Sequence, residues 1–299
     1  MTDPIVLWVT GLLAILSLLL IGFAAFVSEP LPIEASVNSN HVYRLPIGSR
    51  RVSDLVWTWQ NDTVKGKFTV HMGTSSRRNP SSSAGTTRAV TSCCGKLDGR
   101  LFTAENYQIE AANDGSFTSS EIISTFSTAT TAWEAVIGNK FGSQSTITSS
   151  SGLVFNGKNQ VGLGTLDIDM PGALAVTGLW MECPSGGSVS TCPSALEITE
   201  WDQTYAITEY EWSLTGASNA YDLISVVIHE FGHNVGLDDL YSDSCVDSTM
   251  YGYSSIGDAG KRSIDSSTKQ CAKEHYGLSS GSTKWMGPTA LVFALILSV

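Results

Sequence analysis

Asp222-Leu223-Ile224-Ser225-Val226-Val227-Ile228-His229-Glu230-Phe231-Gly232-His233-Asn234-Val235-Gly236-Leu237-Asp238-Asp239 is the run from which the rest of this chain is read. Leu223 with Val227, and Ile224 with Ile228 and Phe231, recur every three or four positions, which predicts a helix. That helix is expected to begin near Asn219, with Asp222 in its first turn, where a carboxylate complements the positive helix end. Gly236 falls where a left-handed C-cap would stop it. His229 and His233, four apart, lie on one face one turn from each other, so their ring nitrogens can share one tetrahedral metal ion. Glu230 adjoins that face and can reach a metal-activated water without ligating. Alone, the motif would leave two surface histidines on a helix as the lesser competing reading. The continuation argues against that. Gly236 permits a sharp turn, and Asp239, ten residues after His229, is placed to return as a third ligand. Asp238 is adjacent, so the choice of Asp239 rests on spacing.

Met250 follows in Ser248-Thr249-Met250-Tyr251, completing an HExxHxxGxxD pattern with a downstream methionine. The conjunction resembles the metzincin clan of zinc endopeptidases. Leu174-Ala175-Val176-Thr177, then Ile198-Thr199-Glu200-Trp201-Asp202 and Trp212, are similar to the matrixin-type layout of two strands before the active-site helix. The resemblance covers roughly Val56 to Gly277 and is tightest from Asp222 to Tyr253. It implies one Zn2+ held by His229, His233 and Asp239, Met250 as a hydrophobic floor, and structural Ca2+ as a further expectation. The implied function is an exported zinc-dependent endopeptidase, with Glu230 as general base and an extended protein or peptide substrate paired to an exposed strand edge near Leu174–Thr177. Three departures stand out. Asp239 replaces the matrixin histidine, as in snapalysin-type proteases; no PRCGxPD switch is present; and Gly252, two after Met250, removes an astacin-type tyrosine ligand. Tyr251 and Tyr253 read as cleft wall or core.

Working outward, Val56 to His71 alternates as a strand or hairpin through Trp57, Trp59, Val64, Phe68 and Val70. Thr74 to Thr91 is Ser/Arg/Gly-rich and reads as a long loop. Phe117-Thr118-Ser119-Ser120 caps a helix over Glu121 to Ile137, with Ile122, Phe126, Thr130, Trp133 and Ile137 at helical spacing. Strands are expected around Val161–Ile168, Leu174–Met181 and Leu196–Tyr205. The expected fold class is α+β: a metzincin-like domain whose twisted mixed β-sheet packs on the active-site helix and a second long helix. His41, His71 and His275 fit no ligand spacing and are expected to be surface or structural.

The 299 residues divide into 1–27, a signal peptide or N-terminal membrane anchor; 28–55, a linker or short pro-segment; 56–277, the catalytic domain; and 278–299, a tail with the parts of a GPI-attachment signal. Ile5 to Val27 is uncharged and long enough to cross a bilayer core of about 30 Å. Both ends point to export, secreted or held at the cell surface through the N-terminal segment, a C-terminal lipid anchor, or both. Six cysteines suit that route, with Cys183–Cys192 and Cys245–Cys271 as expected pairs and Cys93, Cys94 unassigned. The net charge of −11 argues against a nucleic-acid partner. A monomer is expected. A non-catalytic surface protein on the same fold is the competing class, but such proteins lose the glutamate or a ligand, and here all are present. A metallohydrolase acting on non-peptide amides would share the same metal chemistry.

Overall fold

A computed structural model describes residues 42–45, 50–53, 55–74, 93–111, 116–168 and 170–278. Both apolar ends, His41 and residues 75–91 of the expected loop lie outside the described residues. Among the described residues, no helix is long and apolar enough to cross a membrane.

The elements follow one another as β1 (Val42–Tyr43), β2 (Arg50–Ser53), β3 (Val56–Gln60), β4 (Val64–Thr74), β5 (Gly99–Arg100) and β6 (Glu105–Glu110). After them come α1 (Ser119–Ile137), β7 (Phe141–Ile147), β8 (Asn159–Leu166), β9 (Ala173–Glu182) and β10 (Leu196–Ala206). The chain continues with β11 (Trp212–Ser213), β12 (Tyr221–Asp222), α2 (Leu223–Asn234), β13 (Tyr253–Ser255) and α3 (Ser266–His275). The fold is α+β around one mixed sheet, ordered β2-β3-β4-β9-β10-β8-β6-β7. β6, β7, β8 and β10 run parallel; β9 is antiparallel to both β10 and β4. The stretch read as a linker contributes two strands, β1 parallel to β8 and β2 antiparallel to β3.

Two apolar layers flank the sheet. One holds α1 and α2 against Tyr107, Val161, Leu179, Trp201 and Tyr205. The other gathers Trp57, Phe68, Val70, Val176 and Trp180. α1 buries Ile122, Phe126, Ala129, Trp133 and Ile137, the stripe expected of its period. A capping box joins Thr118 and Glu121 at its start. α2 is buried along nearly its whole length, so its apolar residues do not keep to one face.

Three expectations are corrected. α2 begins at Leu223 rather than near Asn219, because Tyr221–Asp222 pairs as β12 with β11 and Asp222 is the N-cap, its carboxylate accepting from the Ser225 amide at 2.9 Å. α3 was not foreseen: its residues are mostly polar, and only Thr268, Cys271 and Ala272 are buried, too few to print a period. The pairing Cys245–Cys271 does not occur. Cys93 bonds Cys245 and Cys94 bonds Cys271, with Cα separations of 5.6 and 5.3 Å, while Cys183–Cys192 forms as expected. The adjacent cysteines anchor two segments far away in sequence, a relation that spacing does not reveal.

Candidate metal centre

α2 presents its histidines from a fixed position. Asp222 caps its start and is itself gripped by Arg262, and the Trp133 indole of α1 donates to the Ile228 carbonyl at 2.8 Å. His229, Glu230 and His233 have no solvent exposure. His229 Nδ1 lies 2.8 Å from the Thr249 carbonyl and His233 Nδ1 lies 2.9 Å from the Leu237 carbonyl. A carbonyl can only accept, so each Nδ1 carries the proton and each Nε2 keeps its lone pair for a ligand role. Both Nε2 atoms are buried without a hydrogen-bond partner.

Past the helix, Gly236 adopts φ 90°, in the left-handed region, and turns the chain back. That return separates the two aspartates. Asp239 places Oδ1 3.1 Å from His229 Nε2 and 3.6 Å from His233 Nε2, with its side chain 1% exposed. Its Oδ2 accepts from the Tyr241 hydroxyl at 3.0 Å. Asp238 points elsewhere: its carboxylate pairs with Lys67 at 2.8 Å and accepts from the Asp239 amide. Met250 is buried beneath the helix, so close to Gly232 that a Cβ there would collide with its Sδ. Tyr251 is buried and Tyr253 half-buried, and their rings pack together beside Tyr241.

Glu230 accepts from the Thr177 hydroxyl through Oε2, while Oε1 has no partner. Burial lifts its carboxyl to about 7, against the opposing pull of His233 and Thr177. Burial lowers His229 to about 4, keeping the ring neutral. For Asp239, burial acts upward but is outweighed by His233 and His229, which bring it down to about 2. Lys261 is buried nearby, donating to the Tyr251 and Tyr253 carbonyls, and desolvation lowers it to about 8.

Of the two expected places for His71, surface or structural, the first is ruled out. Far from the surface, it is wholly buried against His229, ring centroids 4.0 Å apart, with Nδ1 3.9 Å from Glu230 Oε1. His275, as expected, is structural, its Nε2 3.1 Å from the Gly99 carbonyl. The expected free edge at Leu174–Thr177 is also absent: β9 pairs there with β4 on one side and β10 on the other. Spacing missed His71 and Thr177, which strands bring to a helix-borne site, and Tyr241 and Lys261, which reach it from a loop and a short 3-10 helix, because neither kind of contribution leaves a periodic mark.

The donor atoms of His71, His229 and Asp239 lie within 4.8 Å of one another, as do those of His229, Glu230 and His233. A tetrahedral zinc with bonds near 2.0–2.1 Å needs donors about 3.3 Å apart. The 3.1 and 3.6 Å separations bracket that value. Two imidazoles and a carboxylate, each with a buried atom lacking a hydrogen bond, fit such an ion. No protein-family model and no curated protein matches this sequence.

Proposed function

We propose that this protein is a metzincin-type zinc endopeptidase, exported to the cell surface or secreted, acting on protein or peptide substrates. The observation that carries the reading is the convergence of unpartnered His229 Nε2, His233 Nε2 and Asp239 Oδ1 beside the unpartnered Oε1 of Glu230. A neutral triad of structural contacts would leave no buried lone pairs pointing at one another, since such groups cost about 1–3 kcal/mol each when unsatisfied.

When bound by His229, His233 and Asp239, zinc supplies Lewis acidity toward a scissile carbonyl and an attacking water. Glu230 supplies the base. Its Oε2 is held by Thr177, which leaves Oε1 to accept a proton from water and return it to the departing amine. A carboxyl poised near 7 suits both halves of that transfer. Thr249 and Leu237 hold the imidazoles in one tautomer through the reaction, and Tyr241 orients Asp239.

The test compares wild type with Glu230→Ala. Both are expected to bind one zinc, and casein cleavage in the variant is expected to fall by about 10²–10⁴-fold, the usual worth of a general base. Undiminished cleavage by the zinc-loaded variant overturns the mechanism.

A further inference from the structure

β4 occupies the edge of β9 at Leu174–Thr177 expected to receive an extended peptide. It is antiparallel to β9, with His71 opposite Ala175 and Thr69 opposite Thr177, and parallel to β13, with Met72 opposite Tyr253. β4 thus covers the β9 edge over Val64–Met72, with β3 on its other side at Lys65–Thr69 and β13 at Met72–Thr74. Alternate residues of β4 face the helix: Lys65 meets Asp98, Lys67 meets Asp238, and His71 reaches the metal donors. Phe68 and Val70 point to the opposite core.

Unlike His229 and His233, His71 is held through its other ring nitrogen and by a hydroxyl, which can donate or accept. Its Nε2 is bound at 2.8 Å to the Ser254 hydroxyl of β13, and its Nδ1 is buried without a partner. That Nδ1 is the atom left to serve beside His229 Nε2 and Asp239 Oδ1. With Nε2–H donating to Ser254, Nδ1 is a buried lone pair that a cation would satisfy. Glu230 Oε1, at 3.9 Å, is too far to do so.

We propose that His71 is a fourth protein ligand of the zinc, so that the full chain rests chiefly in a closed form, with β4 on the β9 edge expected for substrate, and only a minor open form accounts for wild-type cleavage. A catalytic zinc keeps three protein ligands and one open position; four protein ligands close it. Opening then requires withdrawing the β3–β4 hairpin, and every cysteine of the chain lies at or after Cys93, so no disulfide ties that hairpin down. The proposal rests on the zinc reading above but concerns coordination, which can be measured apart from activity.

The decisive measurement is zinc X-ray absorption on the unmodified full chain. Three imidazoles in the first shell are expected; two overturn the assignment. In the cobalt-substituted protein, azide is expected to leave the wild-type visible spectrum unchanged and to shift that of His71→Asn, which should also bind zinc more weakly by at least the roughly 10–100-fold that loss of an outer-shell partner costs. An azide-responsive wild type, or equal zinc affinity in the two proteins, overturns it. Casein cleavage should rise in His71→Asn and vanish again when Glu230→Ala is added. A three-imidazole shell with no Glu230-dependent cleavage would uphold His71 and remove the peptidase. A two-imidazole shell with Glu230-dependent cleavage would do the reverse.

Discussion

In the proposed mechanism Glu230 is the base, in a place where its charge is disfavoured. Its folded value of about 7 stands above the ordinary 4.5, so in the metal-free chain the native state holds a proton that the unfolded chain has released. Stability therefore carries a cost above pH 7 that is relieved as pH falls through 7 toward 4.5. Glu230→Gln removes the charge and should stabilise the metal-free protein by about 3 kcal/mol above pH 7, shrinking to nothing near pH 4.5. Matching urea midpoints for the two proteins above pH 7 would contradict this. His229 acts in the opposite sense: its depressed value of about 4 costs stability as pH falls from 6.5, so the comparison between variants, rather than one pH curve, isolates Glu230. Asp239 brings a negative charge where a third imidazole would bring none. A zinc held there, as proposed, would sit in a less positive site than three imidazoles give, so Asp239→His should move the acid limb of the pH–rate profile to lower pH. An unmoved limb in a zinc-loaded variant would discard that account.

α2 depends on a cap that reaches outside the helix. Asp222 satisfies the Ser225 amide and receives Arg262, whose NH2 also donates to the Leu214 carbonyl. Asp222→Ala should cost about 2–3 kcal/mol, the cap together with part of an ion pair whose arginine is one-third exposed and partly screened. Thermal melts check it, and a loss under 1 kcal/mol would mean that packing against α1 alone holds the helix. β9 and β13 depend on β4 in a comparable way, since both present backbone groups that β4 pairs.

The molecule as a whole is closed by cysteines that neighbour each other in sequence. Cys93–Cys245 spans a separation of 152 residues and Cys94–Cys271 one of 177. With the first bridge present, the second closes only a ring running through residues 245–271, so the two are not equivalent to two independent long loops. Replacing Cys94 and Cys271 together by serine should cost about 3 kcal/mol by loop entropy, less than a lone bridge across the full span would. Denaturant titration of that variant gives the measurement; a cost near zero would show α3 docked by packing and by Asp265 capping alone.

Helix α1, the hairpin β3–β4, strands β8 to β10 and the pair His229, His233 were legible because they are local: each is written in a period of two or 3.6 residues or in a cap a few positions long. Asp239 was legible by spacing, and its distinction from Asp238 awaited the turn at Gly236, which sends one carboxylate to the histidines and the other to Lys67. The partners of Cys93 and Cys94, the polar helix α3 and the burial of His71 had no local signature. The joining of β4 to β9 decided the last of these, since sheet order is set by which edges meet once the cores on both faces are buried. A motif of eleven residues carries the donors of the proposed metal site, and the packing of a strand far upstream, which no local pattern announces, brings His71 beside them.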